Sequence, residues 1–312
     1  MSDIKKVLFF RNFKGFTGGH LKVWNYFNHF KYEKSYHPYI SFSQDSVWND
    51  SNPWLSLKDE VLGENQGINP DLFFLAGLDW LRSRKEDKNI PIVNLIQHVR
   101  HVNPDLPLYS FLKNKAIRIC VSEQVREALI KSKQVNGPIY TIPNGLDQVS
   151  FPHSQSFQDR NIDVLIAGLK NKSLAMQLYE RLLSVGINVT VLTQPTLQKD
   201  YLSYVGQAKI TIFLPHATEG FYLPALEGMA LETLVICPDC IGNQSFCFDN
   251  INCLQPEYSF DGLWKSINTA LSMDEFRTRK MLSNARAIAS KHTIEGERAA
   301  FLDVVNNISQ IW

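Results

Sequence analysis

The sequence predicts an α/β protein built from two doubly wound, parallel-sheet domains facing one another across a cleft. Three observations carry that expectation. Short apolar runs such as Asp71-Leu-Phe-Phe-Leu-Ala-Gly77 and Ile92-Val-Asn-Leu-Ile-Gln97 read as strands buried on both faces, the pattern of a parallel sheet. Such runs alternate with stretches of helical periodicity, which is the order of β-α-β units. The rhythm halts in the polar, unpatterned stretch 151–159 and then restarts, and 312 residues suit two domains of roughly 150 residues each. The expected division is therefore 1–150 and 151–293, each Rossmann-like, with a final helix at about 294–312 packing back on the first.

Taken in order, the first strand falls at 7–11 and leads into the turn Gly15-Phe-Thr-Gly-Gly19. A helix follows, with Leu21, Trp24, Phe27 and Phe30 at helical spacing. Strand, Gly-Gly turn and helix together let backbone come close to a bound phosphate or sugar, so Gly18 and Gly19 are candidate binding residues. The same turn also serves proteins that bind nothing there. The aromatic helix reads as core, with an edge that could rest on a membrane surface. Segment 39–67, rich in Asn, Ser, Asp and Trp, reads as irregular structure. After the strands at 71–77 and 92–97 come His98-Val-Arg-His101 and a strand at 116–121. Ser122 is placed to cap a helix over 123–132 that has Glu123 in its first turn. A strand at 139–142 ends in Pro143-Asn-Gly-Leu-Asp147, a turn-rich linker.

The second half repeats the pattern: strand 163–168, helix 172–185, strand 188–192, a helix near 200–205 and strand 210–214. Then comes Glu219-Gly-Phe-Tyr-Leu-Pro-Ala-Leu-Glu227, a loop and short helix running into the apolar strand 234–237. Two carboxylates lie eight positions apart, the first on the loop and the second on the helix. Loop, helix N-terminus and buried strand in that order build nucleotide sites at the carboxyl ends of strands. The final segment has Phe301, Val304, Val305 and Ile308 at helical spacing.

Composition narrows the function. Residues 1–150 carry 19 Lys/Arg against 15 Asp/Glu, and the remainder 13 against 16. That bias is too small to indicate nucleic acid, though a mildly basic first half suits an anionic acceptor. No apolar stretch reaches 18 residues, and Met1-Ser-Asp-Ile-Lys-Lys is a polar lead rather than a signal peptide. A soluble or peripheral protein on the cytoplasmic side, with reduced cysteines, is expected. Cys237, Cys240, Cys247 and Cys253 crowd into 17 residues, but only the first two form a metal-binding knuckle spacing, so a zinc site is disfavoured.

Several of these segments, in this order, resemble retaining nucleotide-sugar glycosyltransferases of the GT-B fold, of the family 4 type. They are Gly18-Gly19, His98 at a strand end, Val121-Ser-Glu-Gln-Val-Arg126, Ile142-Pro-Asn-Gly-Leu-Asp147, the 219–227 segment with its helix, and Asn252-Cys-Leu254 after Gly242-Asn243. The resemblance runs from residue 7 to about 300. It implies that Glu227 accepts hydrogen bonds from the ribose hydroxyls of a nucleoside-diphosphate sugar and that Glu219 contacts the transferred sugar. It places the amides of Phe221, Tyr222 and Leu223, with Gly168 and Gly220, around the diphosphate or sugar, and sets His98 against the donor sugar with His101 as a rival. The reaction implied is substitution at the anomeric carbon with retention, with no metal and no cofactor. The acceptor implied is a hydroxyl of a glycan or lipid-linked molecule in cell-surface polysaccharide synthesis.

Two departures from the family pattern stand out. The arginine that normally follows Gly168 is absent, and Leu169-Lys-Asn-Lys172 stands in its place, so Lys170 or Lys172 takes the phosphate role. Tyr222 occupies a position where glycine is common, which narrows the donor pocket. These departures keep open a non-catalytic sugar-nucleotide-binding or partner subunit on the same fold. A further alternative is another enzyme of this architecture, an epimerase or a phosphorylase.

Overall fold

Apolar runs with no polar face become the central strands of two all-parallel sheets in the computed structural model, which describes residues 4–57, 59–63, 67–83, 89–153 and 155–312. Met1-Ser-Asp3 of the polar lead and residues 64–66 of the expected irregular segment lie outside the described residues. The chain divides into two compact units, one of residues 1–144 and 294–312 and the other of residues 145–293. The division falls inside the turn-rich linker, six residues before the expected position. The reason is local: Leu146 pairs with Thr293 as an isolated bridge and donates its N–H to the His292 carbonyl at 3.0 Å, which commits 145–150 to the second unit.

The first unit contains β1 (Lys5–Arg11), α1 (Gly18–Tyr32), β2 (Tyr36–Phe42), β3 (Val61–Leu62), β4 (Leu72–Ala76), β5 (Ile92–Ile96), α2 (Pro107–Ser110), β6 (Ile117–Cys120), α3 (Glu123–Ser132) and β7 (Ile139–Thr141). Its sheet order is β3-β2-β1-β4-β5-β6-β7. The order reverses between β1 and β4, the switch point at which such sheets open a crevice beyond their strand ends. Segment 39–67 is not wholly irregular, as β2 and β3 show. Pro38 and the exposed His37 break the apolar run of β2, so no strand pattern is visible there, yet β2 pairs along its length with β1. Ser122 caps α3 by accepting from the Val125 N–H.

The second unit contains β8 (Ile162–Ala167), α4 (Lys172–Ser184), β9 (Val189–Leu192), α5 (Gln198–Gln207), β10 (Ala208–Phe213), α6 (Leu223–Ala230), β11 (Leu234–Ile236), α7 (Phe260–Leu271) and α8 (Glu275–Ala289). The sheet order is β11-β10-β8-β9. Val164, Ile166, Ile210, Ile212 and Ile236 of the strands pack on Leu178, Leu182 and Ile267 of α4 and α7, a continuous apolar core.

The chain then returns to the first unit as α9 (Ile294–Asn306) and α10 (Ile308–Ile311). Phe301 of α9 meets Tyr26 and Phe30 edge-on at 4.7 and 5.0 Å between ring centroids. Those rings, together with Phe9, Phe27 and Phe74, are buried. Tyr26, Phe27 and Phe30 of α1 are therefore core, while Leu21 and Trp24 are half-buried. Among the described residues no helix is long and apolar enough to cross a membrane.

Candidate functional site

Two strand ends of the second unit bring most of the predicted residues together. At the end of β8 the chain turns through Gly168 into α4. The Gly168 N–H donates to the Leu192 carbonyl at 2.9 Å, and Asn171 caps α4 by accepting from the Leu174 N–H at 3.2 Å. A Cβ on Gly168 would lie 2.2 Å from the Cβ of Ala175, so only glycine lets α4 start this close to its strand. Lys170 projects from the turn, and Lys172 is the first residue of α4 and is exposed.

At the end of β10 the chain passes through 215–218 to Glu219. The loop is set from below by Gly242. The Tyr222 N–H donates to the Gly242 carbonyl at 2.8 Å, and a Cβ on Gly242 would stand 2.8 Å from both the Glu219 carbonyl and the Tyr222 nitrogen. The buried Asn243 fixes that support in turn, donating to the Pro238 carbonyl at 2.9 Å and accepting from the Cys240 N–H at 3.1 Å. The helix begins at Leu223 with Pro224 in its first turn, where a missing N–H removes no helical bond.

Glu219 and Lys170 meet as an ion pair, and the Lys170 ammonium also sits over the Tyr222 ring, 5.0 Å from its centroid. Lys172 makes no such contact. Tyr222, expected from the sequence to narrow the pocket, thus carries the aromatic face on which Lys170 rests. Tyr222 is buried, and its N–H is spent on Gly242; the Leu223 N–H is likewise bonded to the Phe221 carbonyl at 3.1 Å. Of the three amides expected to face the donor, those of Tyr222 and Leu223 are engaged within the loop.

Glu227 lies on the buried face of α6 and is 5% exposed. Its carboxylate has no hydrogen-bond or ion-pair partner among the described residues, and burial pushes its pKa up to about 7. A buried carboxyl group without donors is costly unless something supplies them. Beside it is a residue that the sequence did not single out. Tyr201 of α5 has a buried hydroxyl with no partner among the described residues. Burial, and next the Glu227 charge, raise its pKa well above the phenol range. A tyrosine in an amphipathic helix gives no outward sign of this, because its ring packs with Leu202 and Val205 in the apolar layer.

The four clustered cysteines are buried and unbridged. Burial, then hydrogen bonds with Cys237 and Cys253, push the Cys247 thiol well above its ordinary value, which keeps it an unreactive thiol. Among the described residues no group of three His, Cys, Asp or Glu side chains is arranged to hold a metal.

In the first unit, Gly18 and Gly19 are not a turn before the helix but its first two residues, with Thr17 as the cap accepting from the His20 N–H. A Cβ on Gly18 would meet nothing within 4 Å, so neither packing nor backbone requires glycine there. Gln97, one residue beyond β5, donates to the Gly19 carbonyl at 3.3 Å and joins the two strand ends. His98 follows, half-buried, and its carbonyl bonds Nδ1 of His101 at 2.9 Å. His101 is buried, with its pKa lowered to about 4 chiefly by that burial, and is a neutral imidazole.

Residues 149–287 match the family model described as glycosyl transferases group 1. No curated protein matches the sequence. Among solved structures, the chain is similar to sucrose-phosphate synthase from Thermosynechococcus elongatus, with 12% identity, 98% of this chain and 99% of that chain covered, and a TM-score of 0.73. It is also similar to HepE from Anabaena solved with UDP-glucose, with 15% identity, 97% and 100% covered, and a TM-score of 0.70. A third likeness is to the pneumococcal O-GlcNAc transferase GtfA solved with UDP and GlcNAc, with 15% identity, 76% and 56% covered, and a TM-score of 0.55. At these identities the likeness is one of fold, the GT-B fold of glycosyltransferases.

Proposed function

We propose that the protein is a retaining glycosyltransferase that moves a sugar from a nucleoside-diphosphate sugar to a hydroxyl of a glycan or lipid-linked acceptor in cell-surface polysaccharide synthesis, acting in the cytoplasm or at the inner membrane face. The observation that carries this reading is Glu227. A buried carboxylate with no donor among the described residues, on the helix that follows the β10 loop, suits two vicinal ribose hydroxyls, which donate two charge-assisted hydrogen bonds. The match of 149–287 to a glycosyltransferase family model supports it from the sequence side.

In this reading the second unit holds the donor and the first holds the acceptor. Substitution at the anomeric carbon develops negative charge on the departing diphosphate, and stabilising that charge is the main catalytic task. Lys170 supplies the cation, the N-terminal end of α4 directs its N–H groups and dipole toward it, and Glu219 accepts hydrogen bonds from hydroxyls of the sugar being transferred. Gly18 leaves open space at the start of α1 for a ligand, and Gly19 and His98 are read as ligand-binding residues of the first unit on the resemblance alone. No cofactor takes part, and turnover is expected to survive EDTA.

A thermal-shift series with UDP, GDP, dTDP, CMP and ADP tests the reading, with UDP first because two of the similar structures were solved with uridine nucleotides. A ligand at 100 times its Kd adds about 2.7 kcal/mol of stability. One nucleotide should stabilise the wild-type protein, with or without EDTA, and Glu227→Ala should abolish the shift. Unchanged binding in that variant would refute the donor-site assignment. A donor that binds but is never cleaved would favour the non-catalytic alternative, which the missing arginine after Gly168 keeps in play.

A further inference from the structure

We infer that Glu219 competes with the donor for Lys170, so that the site discriminates against the bare nucleoside diphosphate in favour of the nucleotide that still carries its sugar. The inference rests on the donor-site reading above and concerns what the ion pair adds to it. Lys170 is the cation that meets Glu219, and it is already occupied. Its ammonium is held by Glu219 and lies on the ring of Tyr222. The two partners differ in their access to water. The Lys170 side chain is 34% exposed and can swing on its four-carbon stem, whereas that of Glu219 is 10% exposed and its loop is braced on Gly242. When a diphosphate approaches, Lys170 is the group that moves.

That movement leaves Glu219 as a buried carboxylate without its cation, an unfavourable state unless donors replace the lost partner. A bare diphosphate brings acceptor oxygens only and nothing for Glu219. A sugar nucleotide brings hydroxyl donors to the same place. The exchange therefore penalises the product nucleotide and spares the substrate, which would assist product release. Lys172 cannot relieve the conflict by holding Glu219 instead, because it is exposed at the start of α4 and no ion pair links it to Glu219.

Titration calorimetry with UDP and UDP-glucose against the wild type, Glu219→Gln, Glu219→Asp and Lys170→Met reads the exchange directly. Glu219→Gln removes the competitor and keeps a hydrogen-bonding side chain, so UDP should bind about tenfold more tightly, a change of 1.4 kcal/mol. UDP-glucose should gain nothing or weaken, which inverts the wild-type preference. Glu219→Asp keeps the charge but withdraws it from Lys170 and should tighten UDP in the same sense. Lys170→Met should weaken both ligands. Circular dichroism and melting of each variant separate these effects from misfolding, and the aspartate variant serves if the glutamine one does not fold. Wild-type binding of both nucleotides, with UDP no tighter in either Glu219 variant, would overturn this inference alone. Wild-type protein that binds none of UDP, GDP, dTDP, CMP and ADP would overturn the donor-site reading and this inference with it.

Discussion

At the scale of single residues, Glu227 is the group whose chemistry is most constrained by its surroundings. Burial raises its pKa from 4.5 to about 7, with no cation or donor to oppose the shift. The folded protein therefore keeps a proton that the unfolded chain releases. Stability contributed by this group is full below 4.5 and declines as pH rises toward 7, since the unfolded state then binds fewer protons than the native one. Ligand binding runs the opposite way, because ribose hydroxyls need the carboxylate. Affinity for UDP-glucose, whose diphosphate does not titrate in this range, should strengthen from about pH 6 to about pH 8 with a midpoint near the Glu227 value. Glu227→Gln should bind weakly and with no such midpoint. Calorimetry across that range decides the matter, and a wild-type affinity flat in pH would remove Glu227 from the binding site. Of the site residues, the two glutamates were legible because their flanking Gly, Pro and Gly-Met-Ala form a recognisable segment. The ion pair with Lys170 was not, since nothing in Leu169-Lys-Asn-Lys172 distinguishes which lysine the turn directs at Glu219.

At the scale of elements, glycines in similar sequence settings have different physical duties. Gly168 lets α4 pack against the end of β8, and its Cβ would overlap Ala175 at 2.2 Å with no flexible side chain to yield. Gly168→Ala should cost about 1–3 kcal/mol through overpacking and should displace Lys170 with the turn, lowering both melting temperature and nucleotide affinity. Gly18→Ala meets open space and lies in a helix start with ordinary backbone, so the protein should melt unchanged. A loss of turnover in that variant at full stability would mark the space as ligand space, and full turnover would leave Gly18 without a role. The comparison also shows what sequence pattern can and cannot convey about elements. Central strands such as β4 and β5, apolar on both faces, stand out directly, and α3 follows from its Ser122 cap. Strand β2 does not, because Tyr36-His-Pro-Tyr-Ile-Ser-Phe42 mixes faces and contains proline, and only its pairing with β1 defines it. The loop of Tyr222 and Leu223 illustrates a third case: the pattern gives no sign that their backbone amides are bonded to Gly242 and Phe221, which emerges only in three dimensions.

At the scale of the whole molecule, the first unit is completed by a segment from the other end of the chain. Glu297 of α9 is fully buried, paired with Lys22 and bonded to Nε2 of His29 at 3.0 Å, both on α1. Burial raises its carboxyl, but Lys22 and His29 outweigh that and hold it below the usual range, while burial keeps His29 a neutral imidazole. The aromatic contacts of Phe301 lie on the same helix face, one turn away. Glu297→Ala would take the paired carboxylate from the buried Lys22 ammonium, and a loss of about 3–5 kcal/mol is expected. Lys22→Met combined with Glu297→Leu removes both charges and keeps the volume, so most of that loss should be recovered. Because the partners are 275 positions apart, the network can form only after the second unit has been traversed, and the first unit should depend on it for late folding steps. Urea unfolding of the wild type, Lys22→Met, Glu297→Leu and the double variant, followed by tryptophan fluorescence to which Trp24 and Trp54 of the first unit contribute, gives the four stabilities needed for a double-mutant cycle. A double variant as unstable as the single one would mean that the buried charge pair itself supplies the stability that holds α9. Recovery in the double variant would mean that the buried charges fix which helix face docks, with apolar contact supplying the energy.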